Sequence, residues 1–286
     1  MTIDRNTLQE SRTAGFPPIG GIDSHAHVFV PGLPVAAQRR YTPDYAAPLE
    51  QYLEQLDEQG LAYGVLVQPS FLGTDNAYML DALRQARGRC RGVAVVDPDA
   101  DLGSLRAMDA CGVTGARLNL FGRPLPDFTQ PAWREFFKNL NVLGWHVEVH
   151  CPYQQLPQVM PGLLQGADRI VVDHLGRPDF KHGVQPDQLA YLCGLAASGR
   201  VWVKLSAAYR IWPRDSIEGA APVLRHLIEC FGTGRLMWGS DWPHTEHESF
   251  NSMRKSLHWL IDAVASQEDL AEILLHTPKS FFGFWK

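Results

Sequence analysis

Short runs of apolar and β-branched residues alternate along the chain with longer stretches whose apolar residues recur at helical spacing. The short runs have the composition of strands that are buried on both faces of a parallel sheet. They predict eight β-strands, at 22–28, 62–67, 92–96, 116–120, 146–150, 170–173, 201–205 and 236–239. Strand and helix repeated eight times predict an α/β protein with a single (β/α)8 (TIM) barrel.

The intervening stretches predict the helices of that barrel. Segments 49–59, 77–87, 130–143 and 222–231 carry apolar residues on one helical face. A glycine directly follows each of them, at Gly60, Gly88, Gly144 and Gly232. Glycine is common just beyond a helix because it adopts the left-handed conformation without steric cost. A last helix, from 267 to about 284, is expected to pack on the barrel.

The length of 286 residues is close to the usual size of one (β/α)8 domain. We expect this domain to span 21–286, including the final helix, and residues 1–20 to form an N-terminal extension. Segments 30–48 and 209–219 are long for βα loops, so we expect them to cover or contact a ligand. An open doubly wound sheet is the alternative, but a glycine-rich phosphate turn should then follow the first strand, where HAHVFVPG stands.

Charge and cysteine content narrow the possible partners. The formal net charge of -5 gives no bulk reason to bind nucleic acid or an anionic membrane. A secretory signal and a long apolar segment are both missing, so a cytoplasmic protein is expected. The five cysteines are odd in number, scattered and never spaced as CxxC, which favours neither a disulfide framework nor a zinc knuckle. The oligomeric state has no signal in the sequence.

Polar residues stand where several predicted strands end, and in a barrel these ends form one mouth. His25 and His27 are two residues apart on the first strand, so their side chains point to the same face. Asp241 follows the eighth strand, which neighbours the first once the barrel closes. A carboxylate beside two imidazoles can deprotonate water or ligate a metal. The structural alternative for Asp241 is a helix N-cap.

His150 and His174 end the fifth and sixth predicted strands. An imidazole at the mouth can ligate a metal or donate a hydrogen bond to a developing oxyanion. The alternative for each is a core histidine with satisfied hydrogen bonds. Asp173 precedes His174, so strand alternation predicts that it faces away from the mouth and serves the structure.

Three arginines, Arg117, Arg123 and Arg210, stand at or just beyond strand ends. The planar guanidinium matches a carboxylate bidentately, so several arginines suit a small anionic substrate with more than one carboxylate. Surface salt bridging is the alternative. Tyr41, in RRYTP of the first long loop, is placed to cap such a pocket.

The chain resembles the amidohydrolase superfamily, and within it the amidohydrolase 2 branch, through motifs that occur in the family's order: DSHAH, LGTDN, VAVVDP, GARLNLFGR, DHLGRPD and WGSDWPH. Arg117, Arg123, Arg210 and Tyr41 narrow the resemblance to the lactonases of that branch that act on 2-pyrone-4,6-dicarboxylate. The resemblance implies a barrel similar to those of metal-dependent hydrolases. It also implies hydrolysis of a carboxylated cyclic ester in the catabolism of aromatic compounds.

The resemblance implies roles for the site residues. Asp241 would be the general base, His25, His27 and His174 would polarise the lactone carbonyl or hold the water, and the three arginines with Tyr41 and His150 would bind substrate. The lactonases of this branch work without a cofactor, but they have a tyrosine where His150 stands. The alternative is one divalent ion, Zn or Mn, held by His25, His27 and Asp241 with His150 or His174.

Two other functions stay open at this point. One is a metal-dependent decarboxylase of an aromatic or unsaturated acid, which related barrels provide. The other is a non-catalytic barrel that only binds a dicarboxylate. The second is disfavoured because a binding protein has no use for a general base beside two histidines.

Overall fold

In a computed structural model of the protein, the described residues are 20–179, 181–212, 219–264 and 266–284. Eight strands form one parallel sheet in chain order. The strands are β1 (Gly21–Ala26), β2 (Leu61–Val67), β3 (Cys90–Ala94), β4 (Val113–Asn119), β5 (His146–His150), β6 (Ile170–Val172), β7 (Val201–Ser206) and β8 (Leu236–Gly239). Every predicted strand is present, with ends that differ from the prediction by at most three residues.

The sheet closes where β8 meets β1. The amide of His27 donates to the Trp242 carbonyl at 2.8 Å, and the amide of Asp241 donates to the His25 carbonyl at 2.8 Å. Gly239 allows this approach, because a Cβ at that position would lie 2.5 Å from the Cβ of His25. The predicted (β/α)8 barrel is therefore confirmed.

Helices surround the barrel, and the four predicted first are all present. The helices before the C-terminal segment are α1 (Leu49–Glu58), α2 (Ala77–Gln85), α3 (Leu102–Asp109), α4 (Pro131–Leu143), α5 (Leu156–Gly166), α6 (Pro186–Gly194), α7 (Ala220–Phe231) and α8 (Met253–Ala263). Gly144 ends α4 with a φ of 68°, as its left-handed role requires. Among the described residues, no helix is long and apolar enough to cross a bilayer.

The C-terminal segment is helical but is not the single helix that the sequence predicts. It consists of α9 (Gln267–Ala271), a π-helical turn (Glu272–His276) and α10 (Thr277–Phe282). The Phe281 ring packs 5.0 Å from that of His146 and 4.8 Å from that of Trp202, at the starts of β5 and β7. This segment therefore covers the amino-terminal end of the barrel and leaves the opposite end open for the mouth.

The structure describes the first of the two long βα loops completely and the second only in part. Segment 30–48 begins and ends beside a small antiparallel bridge between Phe29 and Ala47. It supplies the side chains of Arg40 and Tyr41 to the mouth. Residues 213–218 of the second loop, and all of the predicted N-terminal extension except Gly20, lie outside the described residues.

Candidate active site

Asp241 lies on the barrel seam, directly beyond β8. Its left-handed backbone, with a φ of 59°, turns the chain at this point. Buried Asp23 fixes the preceding residue by accepting from the Ser240 amide at 2.8 Å and from the Ser240 hydroxyl at 2.6 Å. The Asp241 carboxylate is thus held by the backbone of two strands, in line with its prediction as a mouth residue.

The two oxygens of the Asp241 carboxylate have different surroundings. Oδ2 accepts hydrogen bonds from the Tyr209 hydroxyl at 2.6 Å and from Arg210 Nε at 2.7 Å. Oδ1 faces the imidazoles, 3.5 Å from His27 Nε2 and 3.9 Å from His25 Nε2. One oxygen is therefore anchored, and the other is free to receive a proton.

The hydrogen bonds of His27 define what can lie beside Oδ1. His27 Nδ1 is 2.7 Å from the Val67 carbonyl, which only accepts, so Nδ1 carries the ring proton. With the ring proton on Nδ1, Nε2 offers a lone pair toward Asp241 Oδ1. Two acceptors 3.5 Å apart suit a group that donates to both, such as a water molecule, or a cation.

His174 and His150 lie beside this pair. Each is held through Nδ1, by the Ser206 hydroxyl at 2.8 Å for His174 and by Asn119 Oδ1 at 3.1 Å for His150. The His174 ring lies 4.7 Å from that of His25 and 5.0 Å from that of His150. The structure therefore brings together all four histidines that the sequence singles out, although His25 is fully buried below the mouth and does not line it.

A buried layer of charges supports the histidines from inside the barrel. Lys204 bonds to the Glu148 carboxylate and lies 3.2 Å from His25 Nδ1. Arg117 donates twice to Asp173 Oδ2, at 3.0 and 2.8 Å. Because these four charged groups are 4% exposed or less, each depends on its partner for compensation.

Asp173 corrects one prediction from the sequence. Strand alternation assigns it to the outer face, but Asp173 Oδ1 lies 3.4 Å from His25 Nδ1, inside the barrel. The prediction counted the alternation back from His174, but β6 ends at Val172 and His174 already lies in a tight turn, with a φ of 54°. Val171 pairs with Glu148, whose side chain lies inside the barrel, so the alternation along β6 itself brings Asp173 to the interior.

Electrostatics favour an ionised Asp241 among neutral imidazoles. Burial would raise the pKa of Asp241, but the Arg210 guanidinium outweighs it and holds this pKa well below its usual range. Burial lowers the pKa of His174 to about 3 and that of His150 well below its usual value. The neutral rings keep lone pairs or N–H groups available at neutral pH.

Cationic side chains line the mouth around this centre. The lining residues are His27, Arg40, Tyr41, Ser70, Arg117, His150, His174, Arg177, Arg210 and Asp241. Two of the arginines, Arg40 and Arg177, were missed by the sequence reasoning, although they stand inside the quoted motifs RRYTP and DHLGRPD. Four guanidinium groups around one carboxylate make the mouth an attractive site for an anion with several negative charges.

Arg123 is the predicted residue that lies apart. Its side chain is exposed, donates to the Gln38 carbonyl at 3.2 Å, and lines a neighbouring recess that also contains Arg40, Ser70 and Asn119. This recess shares Arg40 and Ser70 with the mouth. Tyr41, in contrast, lines the mouth itself and packs on Phe71 with the rings 5.4 Å apart.

The buried histidines predict how stability depends on pH. Burial lowers the pKa of five of them well below the unfolded value of about 6.5: His25, His146, His150, His174 and His244. The unfolded chain therefore binds more protons below pH 6.5, and each histidine removes up to about 1.4 kcal/mol of stability per pH unit. Glu148 and Asp23, with pKa values raised to about 7 and about 6, offset part of this.

Because the histidines outnumber these two acids, we expect the free energy of unfolding to fall as the pH is lowered from 7 to 5. Urea unfolding in the presence of a chelator measures it. His146→Gln removes one histidine far from the mouth and should make the dependence shallower. Equal stability at pH 7 and pH 5 would contradict the interpretation that these rings are neutral in the folded protein.

Comparison with known proteins identifies the family. The family model described as Amidohydrolase matches residues 22–284. The chain belongs to the amidohydrolase family. A 2-pyrone-4,6-dicarboxylate hydrolase of Comamonas testosteroni is 34% identical to this amidohydrolase over 79% of the chain and 78% of the relative. A 4-sulfomuconolactone hydrolase of Hydrogenophaga intermedia is 30% identical over 93% of the chain and 89% of the relative.

A solved structure is similar along nearly the whole amidohydrolase barrel. The Acinetobacter baumannii protein, described as a probable 2-pyrone-4,6-dicarboxylic acid hydrolase with citric acid bound, superposes with a TM-score of 0.89. It is 37% identical, over 92% of this chain and 99% of that one. The predicted membership of the amidohydrolase 2 branch is confirmed, and its relatives are lactone hydrolases and a lactone isomerase.

The residues of this amidohydrolase also fit a single divalent ion. Ligand atoms of His25, His174 and Asp241 lie within 4.8 Å of one another. His25 Nε2 is buried and makes no hydrogen bond within the described part of the chain. Imidazole nitrogens with one carboxylate oxygen are a usual donor set for Zn²⁺. These three side chains therefore form a candidate ion site at the base of the mouth.

Proposed function

We propose that this protein hydrolyses a carboxylated cyclic ester, 2-pyrone-4,6-dicarboxylate or a close analogue. The observation that carries the proposal is the free oxygen of Asp241 beside His27 in a mouth lined by four arginines. The carboxylate and imidazole suit water activation, and the arginines suit a substrate with two carboxylates. The lactone hydrolases among its relatives support the same reaction class.

In the proposed reaction, water lies between Asp241 Oδ1 and His27 Nε2. Asp241 takes a proton as the water oxygen bonds to the lactone carbonyl carbon. The carbonyl oxygen becomes an oxyanion, and His174 Nε2–H donates a hydrogen bond to it. Nε2 can carry the ring proton because the Ser206 hydroxyl donates a hydrogen bond to Nδ1. The ring C–O bond then breaks, and the proton passes from Asp241 to the leaving oxygen.

Substrate binding also tunes the base. In the free protein Arg210 holds the pKa of Asp241 well below its usual range, which makes it a weak base. A substrate carboxylate bound to Arg210 would share the guanidinium charge and raise the pKa of Asp241. In this proposal a lactone with a carboxylate at that position is therefore hydrolysed faster, as well as bound more tightly, than one without it.

The proposed reaction requires no metal, since arginines and imidazoles provide the positive charge and hydrogen bonds. If an ion binds, Asp241 and His25 with His27 or His174 would hold it, and it would polarise the lactone carbonyl. Arg117 and Arg210, together with Tyr41, would still bind the carboxylates. His150, with its buried Nε2 directed at no partner among the described atoms, would donate to or accept from the substrate.

The proposal is tested by incubating 2-pyrone-4,6-dicarboxylate with the purified protein and following the loss of the ring absorbance. The assay is run before and after dialysis against a chelator. Ring opening that survives chelation supports the cofactor-free reaction, and activity that returns only with Zn²⁺ or Mn²⁺ supports the metal alternative. Release of carbon dioxide, or tight binding without turnover, would overturn lactone hydrolysis in favour of a decarboxylase or a binding protein.

We expect Arg177→Met to raise the KM for the dicarboxylate by roughly 10- to 150-fold, which corresponds to about 1.5–3 kcal/mol for a lost bond to a charged group. Arg177 is the better test than Arg117, whose loss would also deprive buried Asp173 of both hydrogen bonds to its Oδ2. Arg254→Met, an exposed position on α8, is the matched control and should leave KM unchanged.

A monocarboxylate analogue sharpens this experiment. It should bind the parent protein more weakly but be almost insensitive to loss of the arginine whose carboxylate it lacks. Arg123→Met, tested in the same way, reports whether the second carboxylate extends into the neighbouring recess. Equal sensitivity of both substrates to every arginine change would contradict carboxylate recognition.

A further inference from the structure

Two cysteines and a histidine meet on the outer surface of the barrel, although no sequence spacing connects all three. Cys193 lies on α6, while His226 and Cys230 lie one turn apart on α7. Ligand atoms of the three side chains all lie within 4.8 Å of one another. The cysteines are partly buried and the histidine is exposed, so the cluster is accessible to a small ion.

The cluster lies far from the mouth. Cys193 and Cys230 are each one residue from the end of their helix, and helices in a (β/α)8 barrel run antiparallel to the strands. Their carboxyl ends are therefore at the amino-terminal end of the barrel, opposite the mouth. Both helix ends contribute partial negative charge, which favours a cation there.

The donor set selects the class of ion. Thiolate sulfur and imidazole nitrogen are the ligands of structural zinc sites, and bond lengths of about 2.0–2.3 Å put tetrahedral ligand atoms about 3.5–3.8 Å apart. Since the ligand atoms lie within 4.8 Å of one another, their separations need to shorten by no more than about 1.3 Å. Glu229 lies 3.3 Å from His226 Nδ1, where its carboxylate can orient the ring or supply a fourth ligand.

We propose that Cys193, His226 and Cys230 form a second, structural site for zinc or a similar thiophilic divalent ion, which ties α6 to α7. A catalytic role for the thiols is a poorer explanation. Burial and the hydrogen bond with the Cys230 thiol raise the pKa of Cys193 to about 12, so this thiol is not an activated nucleophile. A metal ion deprotonates such thiols when it binds.

Cobalt titration of the full-length, chelator-treated and reduced protein tests the site. Cobalt bound to thiolates gives charge-transfer absorption, whereas the mouth residues include no cysteine and cannot produce it. We expect this absorption in the parent protein and in Asp241→Asn, and its loss in Cys193→Ser and Cys230→Ser. Cys111→Ser, a partly exposed cysteine outside the cluster, is the matched control and should leave it unchanged.

Displacement of the cobalt absorption by zinc gives the zinc affinity of the parent and of Glu229→Gln, and competition with a chelating dye gives that of the serine variants. Either serine variant should weaken zinc binding by at least about 100-fold, and Glu229→Gln by about 10-fold, the lower end for a group that supports a ligand. In the Asp241→Asn background, which removes a ligand of the candidate site at the mouth, zinc should raise the Tm, and adding Cys230→Ser should abolish that rise. The proposal would be overturned if the parent protein gave no charge-transfer absorption, or if this absorption persisted in both serine variants. It would also be overturned if Cys193 and Cys230 formed a disulfide and the protein bound no cobalt after that disulfide was reduced.

Discussion

Asp241→Asn should lower kcat by roughly two or more orders of magnitude, because it preserves the size of the side chain but removes the basic oxygen beside His27. Binding should persist. The amide no longer neutralises Arg210, so the guanidinium is freer to bind a substrate carboxylate, and KM should stay constant or fall. Steady-state kinetics with 2-pyrone-4,6-dicarboxylate measure both quantities.

Asp44→Asn is the matched control for this substitution. It makes the same chemical change at an exposed position in the first long loop, outside the mouth lining, and should leave kcat unchanged. Near-normal turnover by Asp241→Asn would show that another group activates the water. A rise in KM with unchanged kcat would assign Asp241 to binding instead.

Lys204→Met should destabilise the protein by about 3–5 kcal/mol, because it removes the partner of a carboxylate that is fully buried. Burial already raises the pKa of Glu148 to about 7, and without Lys204 this pKa would rise further, so the carboxyl group would be protonated inside the barrel. The free energy of unfolding from urea titration measures the effect. The geometry of His25 would also change, since Lys204 lies 3.2 Å from its Nδ1.

A second substitution distinguishes lost compensation from poor packing. Lys204→Met combined with Glu148→Gln removes both charges and should recover a large part of the lost stability. Lys138→Met breaks an exposed Lys–Glu pair on α4 and should have little effect. If Lys204→Met proves no more harmful than Lys138→Met, or if the double variant is the least stable of all, the buried pair is not what stabilises this layer.

Much of the fold was predictable because hydrophobic periodicity is a local property. Strands β5 and β8 have the predicted ends. The C-terminal segment was predicted less well, since its apolar spacing indicates one helix and the π-helical turn at Glu272–His276 interrupts it. Such a turn depends on how the segment packs against the barrel, and the spacing of apolar residues along the chain contains no information about that packing.

The candidate site was predictable where a residue belongs to a strand end. His27, His174 and Asp241 meet because parallel strands deliver their last residues to one rim. Arg40 and Arg177 were missed because they lie in loops and turns, where no period indicates direction. Asp173 was assigned to the wrong face because the alternation was counted back from His174, which lies in a turn with left-handed backbone and does not continue β6.

The sequence by itself determined the barrel, its family and the rim on which the chemistry gathers, since period, turn residues and motifs are all encoded along the chain. Only the tertiary structure decided which side chains share a contact. It paired Arg117 with Asp173, separated Arg123 from the mouth and brought Cys193 to His226 and Cys230. Spacing along the chain does not record these distances, because they depend on how neighbouring helices and strands pack.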